Sequence, residues 1–459
     1  MDSKAEEFLR QCEALLLVRW VFADLNGIAR LKEIPGAMCR RFFKSGGRDC
    51  CSAVLSLACT SFAPEVQWIV DNGFPDCSML PDPDSFHLVS WSRCPPGQDG
   101  AARIGQVICS SAWHDGTPVQ FDSRNAAKRQ IERLAGHGLA LYSAVELEWR
   151  LFIKPKEDAA EYTWHESRVD PYCSILAHKY EPLLLDIHQA LQSAGLRVEA
   201  LHTEFGCGQM EVTMAPKWGI CGPDEGFLYR DIVRQVAQNH GYIVSFMAVP
   251  CSGEAGSGLH FNHSLWSADR RANAFFDAAQ ERKMSAVMRH WLAGLIHHSA
   301  AIAALTSPTV NCYRRLHLPF TPDFADWAVQ SRNATFRVKL GSDANPGGSY
   351  IENRMPSSAA NAYIVTAATL AAGLDGLERQ LTLPPEGSRD AGRLPSSMVE
   401  ALAALEADTV MQQALGPQLI EFYVTLKRQF DLGLVQASMP TGDDAKKLAW
   451  ERAQYLENL

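Results

Sequence analysis

Residues 144–152, AVELEWRLF, place two glutamates at alternate positions among apolar residues. In a β-strand, side chains two apart share a face. Glu146 and Glu148 then point one way, and Val145, Leu147 and Trp149 the other. The apolar side has to lie on a core, and the other side carries two like charges that weaken a sheet unless something neutralises them. The alternation recurs downstream. In EFGCGQMEVTMAP, Gln209, Glu211 and Thr213 alternate with Met210, Val212 and Met214, and Glu204 lies just upstream. In SGLHFNHSLW, His260, Asn262 and Ser264 alternate with Leu259, Phe261 and His263. Thr335, Arg337 and Lys339 share a face in ATFRVKL, as do Tyr350, Glu352 and Arg354 in SYIENRMP. One polar-faced strand is ordinary, because antiparallel sheets commonly show a face to water. Here the faces are rich in Glu, His and Arg rather than Thr, Lys, Ser and Gln. They point to a curved antiparallel sheet closing on a site.

The chain has 459 residues, which predicts two domains. LLVRWVFADLNGIARLKE at 16–33 reads as two strands around an Asn26-Gly27 turn. Short β-like runs follow at 52–58, 85–91 and 105–110, separated by loops such as PDPDS and CPPGQDG. Residues 1–115 therefore read as a small β-rich domain with little helix beyond a short amphipathic one at the start. Asp122 or Ser123 is placed to cap the first helix of a larger domain, 116–459. Helices are expected near 124–136, 177–195, 226–240, 276–306, 357–383 and 397–431, with polar loops at 154–170 and 341–349. The class is α+β.

A net charge of −9 gives no basic stripe, which argues against nucleic acid as a partner. No apolar run is long enough to span a bilayer, and the first residues carry acids where a secretory signal has a basic end. Thirteen cysteines without a CxxC pair fit a reducing, cytoplasmic setting, with Cys50-Cys51 as two small residues near a strand start. His297 and His298, in an apolar helical stretch, read as packed or hydrogen-bonded, and His263 as pointing away from the charged face. Trp91 and Trp113 read as core or subunit-contact residues.

Five glutamates converging without compensation would repel one another and take up protons. Divalent cations remove the conflict, and carboxylates with one imidazole suit Mg²⁺ or Mn²⁺. Arg315, Arg332, Arg337 and Arg354 lie downstream, and arginine binds carboxylate and phosphate bidentately. Metals and arginines around an acidic pocket are what phosphoryl transfer needs. The chain has no GxxxxGK[ST] loop and no protein-kinase motif set.

In their order, VELEWRLF, TEFGCGQMEV, GSGLHFNHSLW, NCYRRL, WAVQSRNATFRV and YIENRMPSSAANAYIVTAATLAAGLDGL resemble the segments of the glutamine synthetase superfamily, class I type. The resemblance covers nearly the whole chain. It implies a small N-terminal β-grasp domain, a larger catalytic domain, and two stacked hexameric rings with sites between neighbouring subunits. It implies ATP as cosubstrate: the γ-carboxylate of glutamate is phosphorylated, and ammonia or an amine displaces the phosphate. Carried over, Glu148, Glu204 and Glu211 would hold one metal, and Glu146, His260 and Glu352 the other. Arg315 would bind the glutamate carboxylate, with Gly256 and Gly258 letting backbone approach it. Arg354 would sit beside the reacting carboxylate. Arg332 and Arg337 would hold ATP phosphates and the group in transfer, with Asn262 and Ser264 on the nucleotide side.

Four positions depart from the family pattern. Ala255 stands where an Asn usually contacts glutamate, and Asn262 where a second His lies near the phosphates. Thr321 stands where a loop Glu takes a proton from ammonium. Asp49 is only a loose counterpart of the N-terminal Asp that binds ammonium across the subunit boundary. The YRRL segment and Trp327 place the chain nearest the γ-glutamyl-amine ligase and lengsin branch. The expected activity is ligation of glutamate, or a related acid, to an amine or ammonia. The alternative is a lengsin-like structural or binding protein that keeps the assembly without turnover.

Overall fold

The computed structural model describes residues 3–93, 103–153, 163–164 and 168–459. The expected CPPGQDG loop and most of the 154–170 loop lie outside the described residues. Two sheets organise the rest. The first contains β1 (Leu17–Ala23), β2 (Ala29–Pro35), β3 (Arg48–Cys51), β4 (Asp76–Pro81), β5 (His87–Leu88) and β6 (Ile104–Ala112), in the order β2-β1-β6-β4-β3 with β5 on β6. β1 and β2 form the expected hairpin. Gly27 turns it at φ 73°, and the Asp24 carboxylate accepts the N–H groups of Asn26 and Ile28. The run at 52–58 is not a strand. Ser52–Ser56 is a single 3₁₀ turn, and the pairing strand lies just upstream, where Cys50 sits opposite Cys77. A short apolar run carries too little periodicity to separate the two states. A helix, Gly36–Lys44, also stands in this region, where little helix was expected.

The second sheet is built on one long strand, β7 (Leu139–Ile153). It is joined by β8 (Thr163–Trp164), β9 (Val198–Thr203), β10 (Gln209–Met214), β11 (Lys217–Trp218), β12 (Tyr242–Ser245), β13 (Leu259–Ser267), β14 (Trp327–Val329), β15 (Phe336–Lys339) and β16 (Tyr350–Asn353). The main path is β14-β15-β16-β13-β7-β10-β9, with β8, β11 and β12 also on β7. All pairs are antiparallel except β14 with β15. The apolar face of β7 is fully covered: Val145, Leu147 and Trp149 are buried among Phe227, Tyr229 and Val233 of the helix Cys221–Asn239. The Trp149 indole donates to the Tyr229 hydroxyl at 2.6 Å, which satisfies its buried N–H.

Asp122 caps the helix Ser123–Gly136 by accepting the N–H groups of Arg124 and Asn125. Several expected helices are broken into pieces. The 177–195 stretch is Ser174–Lys179 and Glu181–Ser193, divided just before Pro182. Of 276–306, the first ten residues form no α-helix. Ser285 then caps Ala286–His297, and Ser299–Thr306 follows. The 397–431 stretch becomes Met398–Ala407, Thr409–Leu415 and Pro417–Leu426, broken at Asp408 and at Gly416-Pro417. Ala362–Glu378 forms as expected behind an Asn361 cap, and is buried along almost its whole length. A last helix, Asp444–Tyr455, was not anticipated. One core joins the two sheets: Phe121 stacks on Phe422 at 3.9 Å, and both meet Trp68.

Candidate functional site

The register of β7 with its neighbours assembles the charged face. Glu146 lies opposite His260 of β13 and Thr213 of β10, and Glu148 opposite Glu211. Glu211 lies opposite His202 of β9. Glu352 of β16 lies opposite Asn262 on one side and Arg337 of β15 on the other. Period-two side chains on six paired strands thus bring residues more than 200 positions apart into one cavity of about 650 Å³. All five glutamates line it. So do five basic side chains: Arg315, Arg332, Arg337, Arg354 and Lys339.

Two groups of ligand-type atoms stand out among the described residues. Oxygens and nitrogens of Glu146, His260 and Glu352 lie within 4.8 Å of one another, as do those of His202, Glu204 and Glu211. In the first, His260 Nδ1 is 3.4 Å from both Glu146 Oε2 and Glu352 Oε1. Burial, with nearby Arg354, pushes His260 down to about 3, so its imidazole is neutral and free to donate a lone pair. In the second, His202 is 3.5 Å from Glu204 and 3.4 Å from Glu211. Burial lowers its basicity, but the Glu211 hydrogen bond and both carboxylates outweigh this and raise it overall.

Glu148 stands beside the second group. Its Oε2 accepts the Gly258 N–H at 2.8 Å and a Gln209 amide N–H at 3.1 Å. Burial, and then the neighbouring Glu211, push it up to about 8 although Arg315 is near. Burial and Glu211 also raise Glu204. The site therefore stores electrostatic repulsion that a cation would relieve.

The arginines divide by what holds them. Arg337 and Arg354 both reach Glu352, at 2.9 and 2.5 Å. Arg315 is 2% exposed, and its Nη groups donate to the Met355 and Arg354 carbonyls at 3.1 Å each. The Nε atoms of Arg315 and Arg354 are buried without a partner. Arg332 is exposed at the rim. Gly256 and Gly258 make room for Arg315: a Cβ would lie 2.6 Å from its Cγ in one case and 2.5 Å from its Nη2 in the other. Asn262 donates to Glu146 Oε1 at 2.9 Å. With Ser264 it lines an adjoining cavity of about 240 Å³ that shares Glu146, Thr213 and Tyr350 with the first.

The departures from the family pattern are placed as follows. Ala255 lines the main cavity. Thr321 does too, but its hydroxyl faces the Arg315 and Leu318 carbonyls at 2.8 Å each. Asp49 is not among the lining residues and accepts from the Ser78 hydroxyl. His263 turns away and accepts from the Trp291 indole at 3.0 Å. Trp91 is buried, and its indole donates to Gln235.

Sequence reasoning missed His202, Tyr172, Phe205, Phe320 and Arg150. His202 had a signal, since it stands two positions before Glu204 in a strand-like run. Arg150 shares the parity of Glu148; it is fully buried and 3.4 Å from Glu254.

Residues 120–440 match the family model described as the glutamine synthetase catalytic domain. The chain belongs to the glutamine synthetase family. Among its relatives, human lengsin is 30% identical over 99% of this chain and 86% of its own length. Glutamine synthetase of Pyrococcus abyssi is 31% identical over 96% of both. A crystal structure described as a novel glutamine synthase homologue superposes with a TM-score of 0.82 at 27% identity, covering 96% of this chain and 98% of that one. A GmaS complex with ADP shares the fold, with a TM-score of 0.80 at 24% identity over 98% of each chain. Among the described residues, no helix is long and apolar enough to cross a membrane.

Proposed function

We propose that the chain is an ATP- and divalent-metal-dependent carbon–nitrogen ligase. It phosphorylates the γ-carboxylate of glutamate, or of a related acid, and forms a γ-glutamyl amide with an amine or ammonia. The observation that carries this reading is the complete carboxylate set. A fold kept only as scaffold gains nothing from five glutamates that repel one another at a half-buried site.

Carboxylates and a neutral imidazole are hard or borderline donors that fit Mg²⁺ or Mn²⁺. Glu146, His260 and Glu352 would hold one ion. Glu148, Glu204 and Glu211 would hold the other, with His202 beside them. When bound, the ions would neutralise phosphate charge and make the pocket cationic enough for a polyphosphate. Arg332 and Arg337 would hold the phosphates, and Asn262 and Ser264 lie on the nucleotide side. Arg315 would orient the acid. Arg354, which lines the cavity and whose buried Nε has no partner, would stabilise charge on the group in flight. Transfer of the γ-phosphoryl group to the carboxylate gives an acyl phosphate and ADP. The amine nitrogen then bonds to the acyl carbon, the carbon–oxygen bond to phosphate breaks, and the nitrogen gives up its proton.

The expected setting is cytoplasmic. The expected assembly is two stacked hexameric rings, in which residues 1–115 form an N-terminal domain that completes a neighbour's site. Light scattering should then give a mass many times the 50.7 kDa of one chain, and a monomer at micromolar concentration would contradict it.

A second reading, a lengsin-like binding or structural ring without turnover, is favoured by Thr321, whose hydroxyl is engaged within its own loop. The Glu148→Gln, Glu211→Gln double variant separates site from scaffold. Calorimetry with Mn²⁺ should show affinity falling by more than the roughly 10–100-fold that loss of an outer partner costs, together with loss of ATP turnover. Unchanged affinity would overturn the metal assignment. Metal binding without any phosphate release from wild type would favour the second reading.

A further inference from the structure

The mouth of the cavity is unlike its floor. Tyr172, Phe205 and Phe320 line it together with the five glutamates, yet they are 62%, 58% and 70% exposed. Three large apolar side chains left open at one site form the kind of patch that a partner molecule covers. Two of them are also strained. Tyr172 has φ 55° and Phe320 φ 62°, a region that bulky side chains avoid. Each ring is anchored by its backbone to the site. The Tyr172 N–H donates to the Thr203 carbonyl at 3.0 Å, and its ring packs 4.6 Å from His202. The Phe205 N–H donates to Glu204 Oε2 at 3.1 Å. The Phe320 carbonyl accepts from Arg354 Nη2 at 3.3 Å. Backbone contacts thus tie all three residues to the cavity while their side chains stay exposed.

The three rim rings carry no carboxylate to pair with a small cation. Among the described residues, the carboxylates lining the cavity are Glu146, Glu148, Glu204, Glu211 and Glu352, and the Thr321 hydroxyl faces its own loop. Resting on the ligase reading above, we infer that the second substrate is a monoamine with an apolar alkyl or aromatic body, gripped by Tyr172, Phe205 and Phe320. Ammonium and doubly charged diamines are selected against. The aromatic faces bind the body by area, which ammonium lacks, and the second charge of a diamine would be desolvated against them.

The test uses the full chain with Mg²⁺, ATP and glutamate. Hydroxylamine, small and strongly nucleophilic, reports carboxylate activation by forming the γ-glutamyl hydroxamate. Against it, kcat/KM is measured for ammonium, methylamine, butylamine, benzylamine and 1,4-diaminobutane. The expected order rises from ammonium to benzylamine, by roughly tenfold or more from methylamine, the effect of burying a few methylene-sized groups. Diaminobutane should fall below butylamine. Tyr172→Ala and Phe320→Ala should each lower the benzylamine-to-hydroxylamine ratio, while Phe320→Leu, which keeps an apolar side chain, should retain most of it. Hydroxamate formation with a flat series, or with ammonium preferred, would overturn the inference and leave the ligase reading standing. So would variants that change the mass in light scattering but not the ratio, because a second copy would then be covering the rim. Absence of both hydroxamate and phosphate release would overturn the ligase reading, and this inference with it.

Discussion

Glu352 shows how tightly single side chains are held here. It is 2% exposed, with His260 at 3.4 Å and two arginines on its two oxygens. His298 is held in a similar way outside the site. It is buried, with Nδ1 2.6 Å from Asp408 and Nε2 3.0 Å from Asp375. Both contacts are hydrogen bonds from the ring only when it is protonated. Burial opposes that charge, but the two aspartates outweigh it and raise the histidine overall, with His297 and Arg379 as the nearby opposing groups. A folded-state value above the unfolded one stabilises below the unfolded value and fades as pH rises through the folded one. His298→Gln should therefore lower the unfolding midpoint more at pH 6 than at pH 9. An equal loss at both would show that the charge is irrelevant. Residues of the first kind were legible in the sequence, because strand parity forces Glu146, Glu148, Glu211 and His260 onto one face. Tyr172 and Phe320 were not, since a left-handed turn position leaves no periodic pattern for a bulky residue.

At the scale of elements, the long central strand and its charged partners could be read from alternation alone. The helices could be placed but not divided, because their breaks come from tertiary context: His298 between two aspartates, and Gly416 at φ 97° ahead of Pro417. The contact of helix Ala286–His297 with Ala362–Glu378 was hidden for the same reason. Gly294 and Gly376 meet there backbone to backbone; a Cβ on Gly376 would lie 2.2 Å from the His290 carbonyl and 2.7 Å from the Gly294 nitrogen. Backbone cannot rotate away as a side chain can. Gly376→Ala should cost about 1–3 kcal/mol or more, as overpacking does, read as a lower denaturant midpoint. Gly136→Ala, at a helix end with nothing within 4 Å, is the control and should be neutral or slightly stabilising. If the two behaved alike, the close crossing would be wrong.

For the whole molecule, the charged face only acquires a purpose once both sheets are in place. The first sheet shares a core with the helices around the second, and Arg124, 2% exposed, binds Asp82 just past β4 and Asp224 on the helix behind β7. Under the proposed function, two divalent ions, a nucleotide and an acid would account for a pocket lined by five glutamates and five basic side chains. The proposed choice between turnover and a retained scaffold turns on Ala255, Asn262 and Thr321, the substrate positions expected to depart from the family pattern. The most direct test is mass spectrometry of the reaction products from wild type with Mg²⁺, ATP, glutamate and a panel of amines. A γ-glutamyl amide formed in step with ADP and phosphate, and absent when glutamate is omitted, is the predicted result. ATP and metal bound at the site, with no amide and no phosphate released for any amine, would contradict it.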